Sequence, residues 1–336
     1  MRAFVIDGPR EGSVRDVERP AIGPGDALVA IDTVGLCGTD VELYSGTMPY
    51  FAEGLAQFPL RPGHEWAGRI VELGAGTEGF AVGQRVTGDT FLGGGADQYT
   101  RSVRHHVAPD HVEIGVRGGR DGALAEYLRV PAASLYALPP EVGATAGAFV
   151  EPGSCALRGV NAASVGDGTR TLVWGAGTLG LLAALFSRLR GADVDIVVRR
   201  REQADYVSSL GFTPVLGEPD DAYEAVIEAT GADDVPEKAL ARVAMGGRLA
   251  LLGVPARPVG LRVSTLVHHD VTVTGVLGGS SEIAATIELF AGGAIDLEPL
   301  VARRIGLDDV DAALAEGLRR PGTLPPKTQV VLTETA

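Results

Sequence analysis

The stretch 169–198 constrains this chain more than any other. "TRTLVWGAG" (169–177) reads as a strand running into glycines, and "TLGLLAALFSRLRG" (178–191) repeats apolar residues at helical spacing until it stops on glycine. "ADVDIVV" (192–198) reads as a second strand. Gly175-Ala176-Gly177-Thr178-Leu179-Gly180 therefore occupies a strand-to-helix turn in the pattern G-x-G-x-x-G. There the first glycine permits the turn, the second lets backbone approach a pyrophosphate, and the third lets helix pack on strand. Thr178 and Leu179 open the helix, whose free N–H groups and positive dipole end suit phosphate. The pattern predicts a dinucleotide site.

The alternation continues. "EQADYVSSLG" (202–211) reads as helix and "AYEAVIEATG" (222–231) as strand. "KALARVAMGGRLALLGV" (238–254) reads as helix then strand, "VTVTGVLGG" (271–279) as the last strand, and "SSEIAATIELFAGG" (280–293) as a helix. Strands alternating with helices make a doubly wound parallel sheet of Rossmann type, placed at 151–282. Thr230, Gly253 and Val254 fall at the ends of such strands and are assigned to the cofactor.

The end of the second strand selects the cofactor. An acid about 20 residues into the motif serves the ribose 2′-hydroxyl of NAD. Arg199-Arg200-Arg201 stand there instead. Guanidinium groups pair with a 2′-phosphate, which a carboxylate would repel. NADP(H) is therefore favoured over NAD(H), with Arg199 and Arg200 as phosphate ligands. The alternative leaves the arginines solvated and gives an NAD ribose to Glu202 or Asp195.

Residues 1–150 have another texture. Short β-like runs, "ALVAIDTVGL" (27–36), "WAGRIVELG" (66–74) and "GQRVTGD" (83–89), are separated by turn residues such as "GPGD" (23–26). A β-rich lobe of barrel or sandwich type follows. "PKTQVVL" (326–332) is again β-like, and 283–336 is expected to complete this lobe.

A net charge of −14 makes nucleic acid and anionic membrane poor partners. The longest apolar run, "LGLLAALF" (179–186), cannot span a bilayer, and "MRAFVIDGPREG" lacks the apolar core of a signal peptide. Two cysteines cannot build a disulfide framework. A soluble cytoplasmic protein is expected, in which Cys37 and Cys155 are metal ligands or core residues. For Cys155 the expectation is a small buried hydrophobe.

Cys37 sits in "GLCGTD", ahead of "PGHEWAG" with His64 and Glu65 and "VEPGSCALRG" (150–159) with Glu151. With "DGALAEYLRVPAASLYALP" (121–139), "VIEATG" (226–231) and "PKTQVVL", nearly the whole chain resembles the zinc-dependent medium-chain alcohol and polyol dehydrogenases. The resemblance implies a GroES-like catalytic domain before the Rossmann unit. It implies one catalytic Zn²⁺ on Cys37, His64 and Glu65 or Glu151, which of the two glutamates completes the set being left open. All are competent zinc ligands. Such a zinc lowers the pKa of a substrate hydroxyl so that hydride can pass to nicotinamide. Thr39 matches the family's proton-relay hydroxyl.

Two departures stand out. The relay of the family often ends in a histidine five residues after the zinc cysteine; here that residue is Glu42. The family's four structural-zinc cysteines are missing from "FLGGGADQYTRSVRHHVAPDHVEIG" (91–115), so no structural zinc is expected. His105, His106, His111, Asp97 and Asp110 match no closed zinc pattern.

A ligand glutamate in "VEP" and the GHEW pattern are similar to dehydrogenases of polyols, sugars and aminocyclitols. The expected substrate is a polar secondary alcohol or its ketone, and the expected assembly a homodimer or homotetramer. Two rival readings remain: a zinc-independent NADPH quinone or enone reductase, and a non-catalytic NADP(H) redox sensor.

Overall fold

The computed structural model describes residues 1–93, 105–317 and 324–332. The chain divides into two compact units. Unit 1 comprises Met1–Glu151, Ile283–Thr323 and Lys327–Ala336; unit 2 comprises Pro152–Glu282 and Leu324–Pro326.

Unit 1 is built on β-sheet. Strands β1 (Arg2–Gly8) and β2 (Glu11–Asp16) form an antiparallel pair. The main sheet has seven strands. Its members are β3 (Asp26–Leu36), β4 (Glu65–Leu73), β5 (Arg85–Gly88), β8 (Tyr127–Pro131), β9 (Leu135–Ala137), β16 (Val301–Ile305) and β17 (Lys327–Val331). Between them, β6 (Phe91–Leu92) pairs with β7 (Val112–Glu113). The order is β16-β17-β3-β4-β5-β9, with β8 also on β3. Trp66, Phe4, Ile6, Val29, Ile31, Ile70 and Val86 lie in its core. Burying side chains of this size contributes roughly 1.5–3 kcal/mol each, which is what holds strands from distant parts of the chain in register. The β-like tail does return to the first lobe: β17 runs antiparallel to β3, with Thr328 opposite Leu36 and Gln329 opposite Gly35.

Unit 2 is a parallel sheet of six strands: β10 (Arg170–Trp174), β11 (Asp193–Val198), β12 (Thr213–Leu216), β13 (Tyr223–Glu228), β14 (Val243–Leu251) and β15 (Thr272–Gly275). Their order is β12-β11-β10-β13-β14-β15, so direction reverses between β10 and β13. That is the order of a doubly wound dinucleotide fold. The helices Thr178–Leu189, Arg201–Ser209 and Val235–Leu240 alternate with the strands. The helix expected from residue 238 already begins at Val235 and gives way to β14 from Val243. Leu172, Val226, Leu249 and Leu240 are in the core of this unit. Among the described residues no helix is long and apolar enough to cross a membrane.

Candidate active site

The possible metal ligands converge through two strands of unit 1 and one helix. β3 ends at Leu36, and Cys37 follows as N-cap of the helix Gly38–Ser45. Asp40, in the first turn of that helix and fully buried, accepts the Cys37 N–H at 2.8 Å. A carboxylate there also complements the positive end of the helix. Its second oxygen lies 3.3 Å from Gly63 N, which donates to it, and 3.6 Å from His64 Nδ1. Gly63 has φ +101°, and a Cβ there would come within 2.8 Å of Leu124 N. Glycine alone suits that turn.

Glu65 opens β4 directly opposite Gly35 of β3. A Cβ at residue 35 would stand 2.2 Å from Glu65 Oε2. Gly35 therefore leaves room for this carboxylate to lie over the strand. Lys327, first residue of β17, donates to Glu65 Oε2 at 2.6 Å and to Leu36 O at 3.1 Å.

The result is a compact donor set. Ligand atoms of Cys37, His64 and Glu65 all lie within 4.8 Å of one another, the one such cluster of three among the described residues. A thiolate, an imidazole and a carboxylate around one point fit Zn²⁺. Burial by itself lowers the basicity of His64, but the Asp40 carboxylate, with Cys37 beside it, pushes the imidazole well above its ordinary value. Nδ1 faces Asp40, so Nε2 is the nitrogen left for a cation, and a carboxylate behind a ligand histidine strengthens it as a donor. Thr39 Oγ1 stands 3.9 Å from Cys37 Sγ.

In unit 2 the glycine motif stands at the C-terminal end of β10. Gly175 has φ +110°, and a Cβ there would lie 2.8 Å from Thr230 Cγ2. A Cβ on Gly180 would come 2.0 Å from Gly175 O, so the third glycine brings helix against strand. Gly177 is the N-cap of Thr178–Leu189, and a Cβ on it would meet nothing within 4 Å. Open space thus lies against the free N–H groups of a twelve-residue helix, as a pyrophosphate needs.

Arg199 and Arg200 follow β11 directly. Both are exposed, and neither forms an ion pair among the described residues. Arg199 N donates to Gln203 Oε1 at 3.1 Å. Asp195 is occupied elsewhere, accepting from Tyr223 Oη at 2.7 Å. Gly253 and the exposed Val254 follow β14. Cys155 departs from its expected burial and is only partly covered. Its helix, Val150–Ala162, turns Ala156, Leu157 and Val160 inward, and residue 155 lies beside that face.

Comparison with known proteins agrees with both halves. The family model described as the alcohol dehydrogenase GroES-like domain matches residues 23–140, and that of zinc-binding dehydrogenases matches 178–292. An L-threonine 3-dehydrogenase of Streptomyces avermitilis is 30% identical over 333 residues, covering 94% of this chain and 96% of its own. The chain belongs to the zinc-dependent medium-chain alcohol and polyol dehydrogenases. It is an oxidoreductase of the alcohol dehydrogenase type. Two crystal structures from this family are close in fold. A zinc-binding dehydrogenase of Sinorhizobium meliloti, bound to NADP, matches at a TM-score of 0.89 and 27% identity over 98% of each chain. The alcohol dehydrogenase of Thermus sp. ATN1 matches at 0.90 and 27%, over 99% of this chain and 100% of its own.

Seen as a medium-chain dehydrogenase, the chain places its expected residues unequally. Cys37, His64 and Glu65 come together. Glu151, half-buried in the first turn of Val150–Ala162, is outside that cluster of three. Of the three histidines in the 91–115 segment, His105 and His111 hydrogen-bond to protein groups, and the His106 ring lies edge-on to Phe91. His105 Nε2 is 2.7 Å from Asp89 Oδ2. His111 Nδ1 is 2.6 Å from Ala108 O, and its Nε2 lies 3.2 Å from Glu113 Oε1 and 3.1 Å from Arg117 Nη1. Asp97 lies outside the described residues. Sequence reasoning missed Asp40 and Lys327. Asp40 had a signal, an acid three places after an N-cap. Lys327 had one too, as one of two lysines in a chain whose other cations are arginines.

Proposed function

We propose that this chain oxidises a polar secondary alcohol of a polyol, sugar or aminocyclitol, or reduces the ketone, with NADP(H) as hydride carrier. The observation that carries the reading is the convergence of Cys37, His64 and Glu65 within 4.8 Å. Neither a quinone reductase without metal nor a redox sensor needs such a set.

Cys37, His64 and either Glu65 or Glu151 would hold one catalytic zinc. Bound there, it would supply the Lewis acidity that lowers the pKa of an alcohol hydroxyl, and the nicotinamide would serve as hydride acceptor. The residues supply the rest. Asp40, 3.6 Å from Nδ1, sets a negative charge beside the ring of His64, and Lys327 balances the charge of Glu65. The hydroxyl of Thr39 takes the substrate proton. Glu42, three residues on, lies on the same face of the helix Gly38–Ser45 and passes it towards solvent. Thr178, Leu179 and Gly180 hold the pyrophosphate, and Arg199 with Arg200 the 2′-phosphate; the NADP bound in the Sinorhizobium protein supports this choice. The protein works as a homodimer or homotetramer in a reducing cytoplasm, where Cys37 is kept from disulfide formation. A second reading, L-threonine as substrate, draws support from the Streptomyces relative.

The test is an alcohol panel spanning polyols, sugars, aminocyclitols, L-threonine and simple primary alcohols, run with NADP⁺ and NAD⁺ in parallel. Metal is measured on the wild type and on Cys37→Ser. The expected result is about one zinc per chain, lost with activity in C37S, and turnover of polar secondary alcohols. Faster turnover of simple primary alcohols, or full activity in C37S, overturns the reading.

A further inference from the structure

Glu228 is a fully buried carboxylate that neither the metal cluster nor the glycine turn uses. It is the last residue of β13 and stands opposite Trp174 of β10. These are the two strands at which the sheet order reverses, where open parallel sheets place their ligands. A buried carboxylate is costly unless hydrogen-bonded. Glu228 Oε1 accepts from Thr230 N at 2.7 Å and, in a shorter contact, from the Thr230 hydroxyl. Oε2 lies against Gly253, where a Cβ would stand 2.6 Å away. The Glu228 carbonyl accepts from Leu252 N at 2.8 Å. One residue thus ties together the turn after β13 and the turn after β14. Thr230 in turn packs its methyl against Gly175 of the glycine motif.

The proton of Thr230 has a fixed place. A threonine hydroxyl has one donor and two acceptor lone pairs. With Glu228 ionised, that single hydrogen goes to it, since an ionised carboxylate only accepts. Ala232 N donates to the same oxygen at 3.0 Å, as it must if that oxygen is an acceptor. The hydroxyl is therefore set as an acceptor, with a negative charge behind it. Such a group repels phosphate oxygen and attracts O–H or N–H.

We propose that Glu228 is a positioning residue of the dinucleotide site: by taking the Thr230 proton it sets that hydroxyl to receive a hydrogen-bond donor of the cofactor, a ribose hydroxyl or the carboxamide N–H. The inference rests on unit 2 binding a dinucleotide. It divides the labour of the crevice: phosphates go to residues 177–180, and donor groups go to Thr230.

NADPH is titrated by fluorescence into the full chain and into Thr230→Val, Thr230→Ser, Glu228→Leu, Glu228→Gln and the double variant E228L/T230V. T230V removes the acceptor at nearly constant shape and should weaken binding about tenfold. T230S keeps the hydroxyl, and E228Q keeps an oxygen that can accept it; both should bind within about threefold of wild type. E228L should lose about as much as T230V, and the double variant no more than T230V alone, because Glu228 acts through Thr230. If E228L does not fold, T230V against T230S decides. An analogue carrying an acetyl group in place of the carboxamide separates the two donors: the T230V penalty vanishes if the carboxamide is the donor and persists if the ribose is. T230V binding like wild type, or losses that multiply in the double variant, overturns the proposal. A wild type that binds neither NADPH nor NADH sinks the dinucleotide reading itself, and this inference with it.

Discussion

Lys327 Nζ and Glu65 Oε2 lie 2.6 Å apart, their side chains 3% and 1% exposed, across 262 residues of sequence. Burial alone would lower the basicity of Lys327, yet Glu65, Cys37 and Asp40 together hold it above the ordinary lysine value. A cation is thus built into the wall of the Cys37–His64–Glu65 cluster, which is proposed to take a metal ion as well. It offsets charge that a thiolate and two carboxylates would otherwise concentrate in a dry site.

Lys327→Met should show what that cation does. Removing one partner of a buried pair leaves an uncompensated charge and costs about 3–5 kcal/mol. The metal-free variant should melt well below metal-free wild type, and zinc should restore more stability to the variant than to wild type, since Glu65 is then free to take the metal as its partner. Thermal melts with EDTA and with zinc measure this. The double variant K327M/E65Q should recover most of the loss. Equal melting of metal-free K327M and wild type would refute the account.

Asp40→Asn keeps an oxygen for only one of the Cys37 and Gly63 N–H groups, which use different oxygens of the carboxylate, and removes the charge behind His64. Zinc affinity should fall about 10–100-fold, the usual cost of losing such a supporting group. Competition with a zinc chelator reads it without an activity assay.

How much of this was legible before the structure depends on what kind of signal each residue carries. The glycine motif and the strand alternation of unit 2 were readable because both are local: three glycines meet three separate steric demands within six residues. Cys37, His64 and Glu65 were readable only through motif resemblance, since β3 and β4 meet by antiparallel pairing that leaves no periodic mark. Strands β12 and β16 went unread, being four- and five-residue segments with little periodicity to detect. Lys327 lies within the motif PKTQVVL, yet its role is hidden in the sequence, because nothing local says which carboxylate it will face.

Arg199→Ala tests cofactor choice. Loss of one guanidinium from a 2′-phosphate should weaken NADPH about tenfold or more while changing NADH binding less than about threefold. Parallel titrations measure the ratio, and an unchanged ratio would return the arginines to solvent.

His105 supplies a pH prediction. Its hydrogen bond to Asp89 raises the imidazole above its usual value, outweighing burial, which lowers it. A raised folded-state value means the pair stabilises fully below the unfolded value of about 6.5 and loses this as pH rises through the folded one. Asp89→Asn should therefore cost about 1–2 kcal/mol at pH 5.5 and clearly less at pH 9. Urea melts at the two pH values check it. Equal losses at both would mean that the pair is not charged.

The place of β17, between β16 and β3, bears on how the protein comes into being. Cys37, His64 and Glu65 leave the ribosome early, but the strand that brings their counter-charge is made some 260 residues later. Until residues 327–331 have been synthesised and laid against Leu36 and Gly35, Glu65 has no lysine beside it and β3 has one edge open. The Cys37–His64–Glu65 cluster thus gains its lysine only after most of unit 2 has been translated. A chain that stops at residue 326 holds all of unit 2 but lacks the last strand of the unit 1 sheet.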